Sequence, residues 1–373
     1  MAIHKGIIRS RSISYIATIL LIGFFAWSLN AHADEDLHTI SEHTEHEMEK
    51  ANLNAGEIII GHIVDAYEWH IADYGHTHIT VPLPVILYDE GEWHFFLSSK
   101  FHHGKSAYKG FEIAQEGMLK GKIVKRDAEG NFVQPIDLSL TKNSLAVIIY
   151  STIVVLIFLG VAKAYRRRER KAPKGFQSII EPLILFIRDE VALPTIGKKH
   201  YERFLPYLFT VFFFIFFNNL LGLIPIFPFG ANVTGNLAVT GVLALFTFFI
   251  TTFTGNKNYY AHIFNTPGVP WWLKIPLPLM PVIELVGVFT KPFVLMVRLF
   301  ANITAGHIII LGFISLIFVF GQTSIYAGYG ISILSILLSI FINFLELLVA
   351  FIQAYVFTLL SAIYLGMAVE EHH

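Results

Sequence analysis

The 373-residue chain is too apolar for a soluble protein, since 54% of its residues are hydrophobic, 34 are phenylalanine and only 15% are charged. The charged residues are gathered into blocks between long apolar runs, which is typical of a protein that crosses a membrane several times. A formal net charge of −1 argues against a nucleic-acid-binding protein, and the absence of cysteine excludes disulfides and thiolate chemistry.

Residues 1–33 have the pattern of a secretory signal peptide. A basic start is followed by an apolar run and by the sequence AHA before Asp34. An uncleaved membrane anchor is the alternative. In both cases the positive flank stays in the cytoplasm and the segment that follows is exported.

Residues 34–140 are polar and glycine-punctuated, with short strand-like runs, and they predict a small β-rich domain in the periplasm. Histidine is frequent here. His76 and His78, two apart on a predicted strand, would share a face and could hold a metal. No compact set of three or four ligands accompanies them, so a solvated surface is favoured. We expect no metal site and no cofactor.

Residues 141–373 predict an all-α membrane domain with about five spanning helices and one interfacial helix. The first span begins near Asn143 and ends in YRRRERK, which marks the cytoplasmic side. The run GFQSIIEPLILFIRDEVA has apolar residues at helical spacing and should lie along the inner membrane surface. Two further spans follow, from Tyr207 and across 236–253. Trp271 and Trp272 in the next loop suit an interfacial belt.

The last two predicted helices, 281–319 and 330–368, are too long to cross a bilayer directly. Each would measure roughly 58 Å, whereas the hydrocarbon core is about 30 Å thick. They must tilt, bend or lie partly in the membrane plane, and Pro292 is a place where the first could bend. The sequence QTSIYAGYG predicts the turn between them. Five spans leave the C-terminal EEHH in the cytoplasm.

Arg298 is a charge inside one of these apolar helices, where it costs at least ~2.5 to 3.5 kcal/mol. Its guanidinium remains protonated, so it needs water, backbone carbonyls or a carboxylate. If the helices are antiparallel around a turn near Tyr326, Arg298 lies at the depth of Gln353. His307 then lies at the depth of Glu346, and the matching depths indicate one assembly.

The pair of His307 and Glu346 has two interpretations, a proton relay or a hydrogen bond that ties the hairpin together. The nearby Arg298 favours proton transfer. On the same helix, Asn302 lies about 40° from Arg298, whereas His307 lies about 180° away.

Three further polar residues are candidates for a path to the cytoplasm. Glu284 and Lys291 precede Arg298 at intervals of seven residues, on the same helical face. Lys291 could instead extend to the membrane interface. Asn219, in the second span, is the third candidate.

Three motifs carry a family resemblance: E-x6-KP-x5-RLFAN-x3-GH across 284–307, NNLLGLIP at 218–225 and ELLVAFIQAYVFTLLSAIYLGMA at 346–368. Over about residues 140–373 the chain resembles subunit a of the F-type ATP synthase. One well-known bacterial pattern of that family has the acid first and the histidine second. Here His307 and Glu346 exchange these positions, which conserves the pair. The resemblance assigns no role to the periplasmic domain.

The resemblance implies a membrane subunit that is no enzyme by itself and that works beside a c-ring and b subunits in a bacterial inner membrane. In the family the arginine opposes the rotor carboxylate, so Arg298 takes that role. The half-channel residues correspond to Asn302, His307, Glu346 and Gln353. Protons would pass through two aqueous half-channels and drive rotation of the c-ring.

Two other classes of protein remain open from the residues. A self-contained secondary transporter or cation/proton antiporter would commonly show internal repeats and a buried acid of its own, and no second copy of the RLFAN hairpin is present. A periplasmic metal-binding protein with a membrane anchor would leave five spans and Arg298 unexplained.

Overall fold

The computed structural model describes residues 65–74, 77–115, 117, 119–127, 130–167, 172–224, 226–264 and 279–370. The predicted signal peptide at 1–33, the domain boundary at residue 34, His76 and the two tryptophans at 271 and 272 lie outside the described residues.

The N-terminal domain consists of short antiparallel strands, as predicted. One sheet pairs two strands, a second has the order β4-β3-β8 and a third the order β5-β6-β7. The strands are β1 (Glu68–Tyr74), β2 (Thr77–Pro82), β3 (Pro84–Asp89), β4 (Glu92–Leu97), β5 (Phe111–Ile113), β6 (Ile123–Arg126), β7 (Phe132–Val133) and β8 (Ile136–Asp137).

The core of this domain is small. Val85 and Leu87 of β3 face inward, two residues apart as strand geometry requires, and pack with Phe101 and Phe111. Tyr67 is buried beside them and donates a hydrogen bond to Asp137. A single cluster of aromatic and aliphatic side chains therefore holds the sheets together.

The rest of the described chain is helical. Five helices are long and apolar enough to span a membrane, namely α1, α4, α5, α7 and α8, which confirms the predicted number. The helices are α1 (Lys142–Arg167), α2 (Phe176–Phe186), α3 (Leu193–Ile196), α4 (Tyr201–Gly222), α5 (Leu237–Thr254), α6 (Lys257–Phe264), α7 (Leu279–Thr323) and α8 (Ile325–Val369), with a π-helical turn at Ile187–Ala192 joining α2 to α3.

The long hairpin of α7 and α8 differs from the prediction at its turn. Only Ser324 separates the two 45-residue helices, so the predicted nine-residue turn near Tyr326 is wrong. Gly328, inside the predicted turn, serves packing instead. A Cβ at Gly328 would lie 2.8 Å from the Cα of Gly321, so the two helices touch backbone to backbone at the tip. Helix α7 also continues through Pro292 without interruption.

Helix α8 is central to the membrane domain and α7 lies at its edge. The Phe351 ring of α8 contacts Phe212 of α4 with the ring centroids 5.9 Å apart. Helix α8 also contacts α5, since the hydroxyls of Ser361 and of Thr247 on α5 are 3.2 Å apart. Only 6% of the most apolar stretch of α7 is buried inside the protein, against 50% for α4. Helix α7 therefore presents a broad apolar surface outward.

The N-terminal domain is fastened to the start of α1. The Lys142 amide donates to the Ala66 carbonyl at 2.8 Å, and the Asn143 amide donates to the Asp65 carboxylate at 3.0 Å. The Trp69 ring meets Phe227 of the α4–α5 loop edge-on, with centroids 5.3 Å apart. The domain is thus held by α1 and by the loop beside it.

Asp65 makes the attachment of this domain dependent on pH. Burial raises the pKa of Asp65, and the hydrogen bond from Asn143 offsets this only in part. A raised pKa in the folded state means that Asp65 stabilises the fold most below its unfolded pKa of about 3.8. This contribution is lost as the pH rises through the folded value.

We therefore predict that Asp65→Asn weakens the pH dependence of unfolding, because the amide accepts the same hydrogen bond from Asn143 and cannot titrate. Between about pH 4 and about pH 8, the melting temperature of the variant should change less with pH than that of the unmodified protein. Glu92→Gln, at an exposed carboxylate on β4, is the control. Equal pH dependence in Asp65→Asn and the unmodified protein would contradict the assignment.

Candidate functional site

The hairpin brings His307 and Glu346 together. The His307 Nδ1 and Glu346 Oε1 atoms are 3.9 Å apart, which is ion-pair range but too long for a direct hydrogen bond. Glu346 is buried and His307 is half-buried. A Cβ at Gly306 would overlap with the Glu346 carboxylate, so the glycine makes room for the acid inside the hairpin.

Several polar atoms around this pair are buried without a hydrogen-bond partner. Within the described part of the chain they include Glu346 Oε2, Ser339 Oγ and Thr304 Oγ1. Each such atom costs about 1 to 3 kcal/mol unless water satisfies it. The interior of the hairpin is therefore built from groups that bind water.

The buried face of α8 forms a polar stripe. Ser335, Ser339, Glu346 and Gln353 are all buried and follow one another at intervals of four, seven and seven residues. Glu346 and Gln353 are predicted site residues, whereas Ser335 and Ser339 are not. Ser339 and Ser335 lie two and three helical turns before Glu346, and this spacing predicts that they share its face.

Arg298 and Asn302 lie on the exposed side of α7. Gln353, predicted at the depth of Arg298, is buried, and no hydrogen bond joins these two residues. The described residues include no carboxylate that forms a salt bridge with Arg298. Because it projects outward from a helix long and apolar enough to span a membrane, its charge must be met by water or by another molecule.

Glu284 and Lys291 are both partly buried on the first half of α7. The Lys291 ammonium lies 5.4 Å from the centre of the Tyr364 ring on α8, which is within the range of a cation–π contact. Lys291 is therefore held by the protein at this point.

Asn219 lies at the depth of the acid of α8. The Phe351 ring is in contact with both Phe212 and Phe216, with centroids 5.9 Å apart in each case. The helices are antiparallel, because a Cβ at Gly366, near the end of α8, would overlap with the backbone just before α4. Phe351 is therefore level with residue 214, midway between the two phenylalanines. Asn219 lies five residues further along α4, and in the antiparallel α8 this is the level of Glu346, five residues before Phe351.

This position separates Asn219 along the helices from Glu284 and Lys291, and its place on a path to the cytoplasm stays a prediction. Its side-chain oxygen accepts a hydrogen bond from Thr234, at the opposite end of α5 from the residues around Lys291.

The histidines of the N-terminal domain do not gather into a metal site in the part of the chain that the structure describes. No group of three or more His, Cys, Asp or Glu residues there has the geometry to hold an ion. His78 lies on β2 opposite Asp73, and His103 Nδ1 lies 2.7 Å from Glu68.

These features define a multi-pass membrane protein with an outward-facing arginine on a long hairpin and a histidine–acid pair inside it. Residues 146–366 match the family model of the ATP synthase A chain. The chain therefore belongs to the ATP synthase A chain family. Residues 58–150 match a second model, described as a domain of unknown function (DUF8433).

Curated relatives support the same assignment. The chain is 44% identical over 245 residues to the ATP synthase subunit a of Chloroherpeton thalassium, covering 63% of this chain and 69% of the relative. It is 41% identical over 290 residues to that of Chlorobium phaeobacteroides, covering 72% and 80%. With the subunit of Myxococcus xanthus the identity is 38% over 309 residues, covering 81% and 92%. This last similarity covers most of both chains.

We predict that Gly306→Ala destabilises the protein by about 1 to 3 kcal/mol, the usual cost of overpacking, because the new methyl group displaces Glu346. Gly312→Ala is the matched control, since a Cβ there meets nothing within 4 Å. Thermal unfolding of the two purified variants tests this directly. Equal melting temperatures would show that Glu346 is not confined by Gly306.

Proposed function

We propose that this chain is the proton-conducting stator subunit of a rotary ATP synthase, in which Arg298 faces the carboxylates of a rotating c-ring. The exposure of Arg298 supports this most directly. The acid at the centre of the hairpin, Glu346, is buried on α8, while the arginine projects from α7. This arrangement suits a cation whose partner arrives from outside.

The polar stripe of α8 is the proposed path from the exported side. It leads from Ser335 and Ser339, nearest the hairpin tip, to Glu346 and then to Gln353. His307 lies beside Glu346, and the 3.9 Å gap between them suits a pair that exchanges protons through water rather than a fixed hydrogen bond. Asn219, at the same depth, and Asn302 would complete the polar surroundings.

Protons that reach the ring neutralise its carboxylate, which can then enter lipid because it no longer carries charge. After nearly a full turn the carboxyl group meets the second half-channel and ionises. Arg298 stabilises the ionised form and blocks direct passage of protons between the half-channels. Glu284 and Lys291 lie along α7 on the proposed exit side.

The distribution of basic residues supports an orientation. Arg166 and Arg167 end α1, and Lys198 and Lys199 precede α4, so this side is placed in the cytoplasm. The N-terminal domain at the other end of α1 is then periplasmic, and the C-terminus is cytoplasmic. We further propose a bacterial inner membrane as the location, with the c-ring and b subunits as partners.

We predict that Arg298→Ala reduces ATP-driven proton pumping by the assembled complex to background, because the ionised ring carboxylate loses the positive charge that faces it. Acidification of inverted membrane vesicles measures this. Arg126→Ala, which removes an exposed salt bridge in the N-terminal domain, should leave pumping unchanged. Normal pumping by Arg298→Ala would exclude the proposed role.

A further inference from the structure

A small pocket with a mostly apolar lining and a few polar groups lies among α5, α6, α7 and α8, away from the His307–Glu346 pair. Its volume is about 20 Å³, and its polar lining comes from Thr251, Thr252, Tyr259, Lys291 and Tyr364, with Thr247 at its edge. A cavity of roughly 10 to 15 Å³ is enough for one water molecule. The pocket is therefore of the right size for a bound water.

Two hydroxyls in this pocket have no hydrogen-bond partner among the described residues. Thr251 is only 7% exposed, and its Oγ1 atom and that of Thr252 are both buried and unpaired. Most threonines in these helices instead donate to a backbone carbonyl one turn earlier, as Thr254 does to Ile250. Two unpaired hydroxyls at one point indicate that the site binds a small polar ligand.

Lys291 supplies the charge of this pocket, and Tyr364 holds it there. The ammonium lies 5.4 Å from the ring centre. The cation–π contact therefore stabilises this conformation of the flexible lysine side chain. Arg298, two turns further along α7, is exposed on the outer surface. The two cations lie on the same face of α7, where Lys291 is half-buried against α8 and Arg298 is exposed.

We propose that Tyr364 is a positioning residue that fixes the Lys291 ammonium beside the hydroxyls of Thr251 and Thr252, where together they bind water on the proton path leading to Glu284. This rests on the proposed stator function for the direction of proton flow. A fixed ammonium disfavours an excess proton on nearby water, because like charges repel. It therefore sets the pH at which protons enter or leave by this route.

The test is the pH profile of ATP-driven proton pumping by the intact complex. Lys291→Met should move the profile to higher pH, on the order of one pH unit for the loss of a nearby charge. Tyr364→Leu should shift it in the same direction by less, because the ammonium is retained but no longer fixed. Tyr364→Phe should shift the profile less than Tyr364→Leu does, since the aromatic ring that fixes Lys291 remains.

The double variant separates positioning from a structural role. If Tyr364 acts through Lys291, adding Tyr364→Leu to Lys291→Met produces no further shift. An additional shift in the double variant, or a Tyr364→Phe profile like that of Tyr364→Leu, would overturn the positioning role. An unshifted Lys291→Met profile would remove Lys291 from the path.

The hydroxyls are tested by Thr251→Val, which keeps the shape of the side chain. If Thr251 binds functional water, pumping at the pH optimum falls by about twofold or more. Thr240→Val is the control on the same helix, because that buried hydroxyl already donates to the Leu237 carbonyl. Full pumping by Thr251→Val would show that no functional water depends on this hydroxyl.

These outcomes are distinct from failure of the stator function itself. Arg298→Ala measured in the same preparation reports on the stator role. An inactive Arg298→Ala with unshifted Lys291 and Tyr364 profiles would reject the pocket alone. Each profile is normalised to the amount of assembled complex, so that poor folding of one variant does not imitate a shift.

Discussion

One constraint governs the membrane domain: a guanidinium that cannot lose its proton is exposed on a helix at membrane depth. Arg298 has no carboxylate partner within the described residues, although a buried acid lies one helix away in Glu346. A carboxylate of the same chain beside Arg298 would lower the free-energy cost of holding this charge at membrane depth. Its outward position is understandable if the compensating charge belongs to another molecule and changes with time.

The fold meets this constraint by giving the two sides of the hairpin different chemistry. The interior holds the polar stripe of α8 and His307, whereas the outer surface of α7 is apolar around Arg298 and Asn302. Glycines at the tip and beside Glu346 allow the two helices to approach closely. Behind them, phenylalanines of α4 pack against α8 and fix its position. Helix α8 is thus held in place behind the helix that carries Arg298.

The sequence predicted the helices well because long apolar runs and basic blocks reflect the cost of placing charge and unpaired backbone in lipid. The mirror-depth argument also placed His307 opposite Glu346, since only the antiparallel geometry of two continuous helices was needed. The prediction failed at the turn. The stretch QTSIYAGYG, which predicts a turn, is helical except at Ser324, and its Gly328 serves helix packing.

Other features depend on contacts between elements distant in sequence, which periodicity does not report. The depth of Asn219 follows from aromatic contacts between α4 and α8, and the pocket at Lys291 needs four helices to form. The attachment of the N-terminal domain through Asp65 and Trp69 likewise appears only once α1 and the α4–α5 loop are in place. No local pattern in the sequence marks either residue as a point of attachment.

Disulfide cross-linking tests most directly whether α7 faces a rotor, because the chain contains no cysteine of its own. The test position is Val294, one turn from Arg298 on the exposed side of α7, replaced by cysteine (Val294→Cys). The control is Leu159→Cys, at an exposed position on α1. Our account predicts that the first cross-links to a cysteine placed beside the ring carboxylate of the c subunit, while the second does not. Absence of a cross-link at Val294→Cys in an active, assembled complex would contradict it.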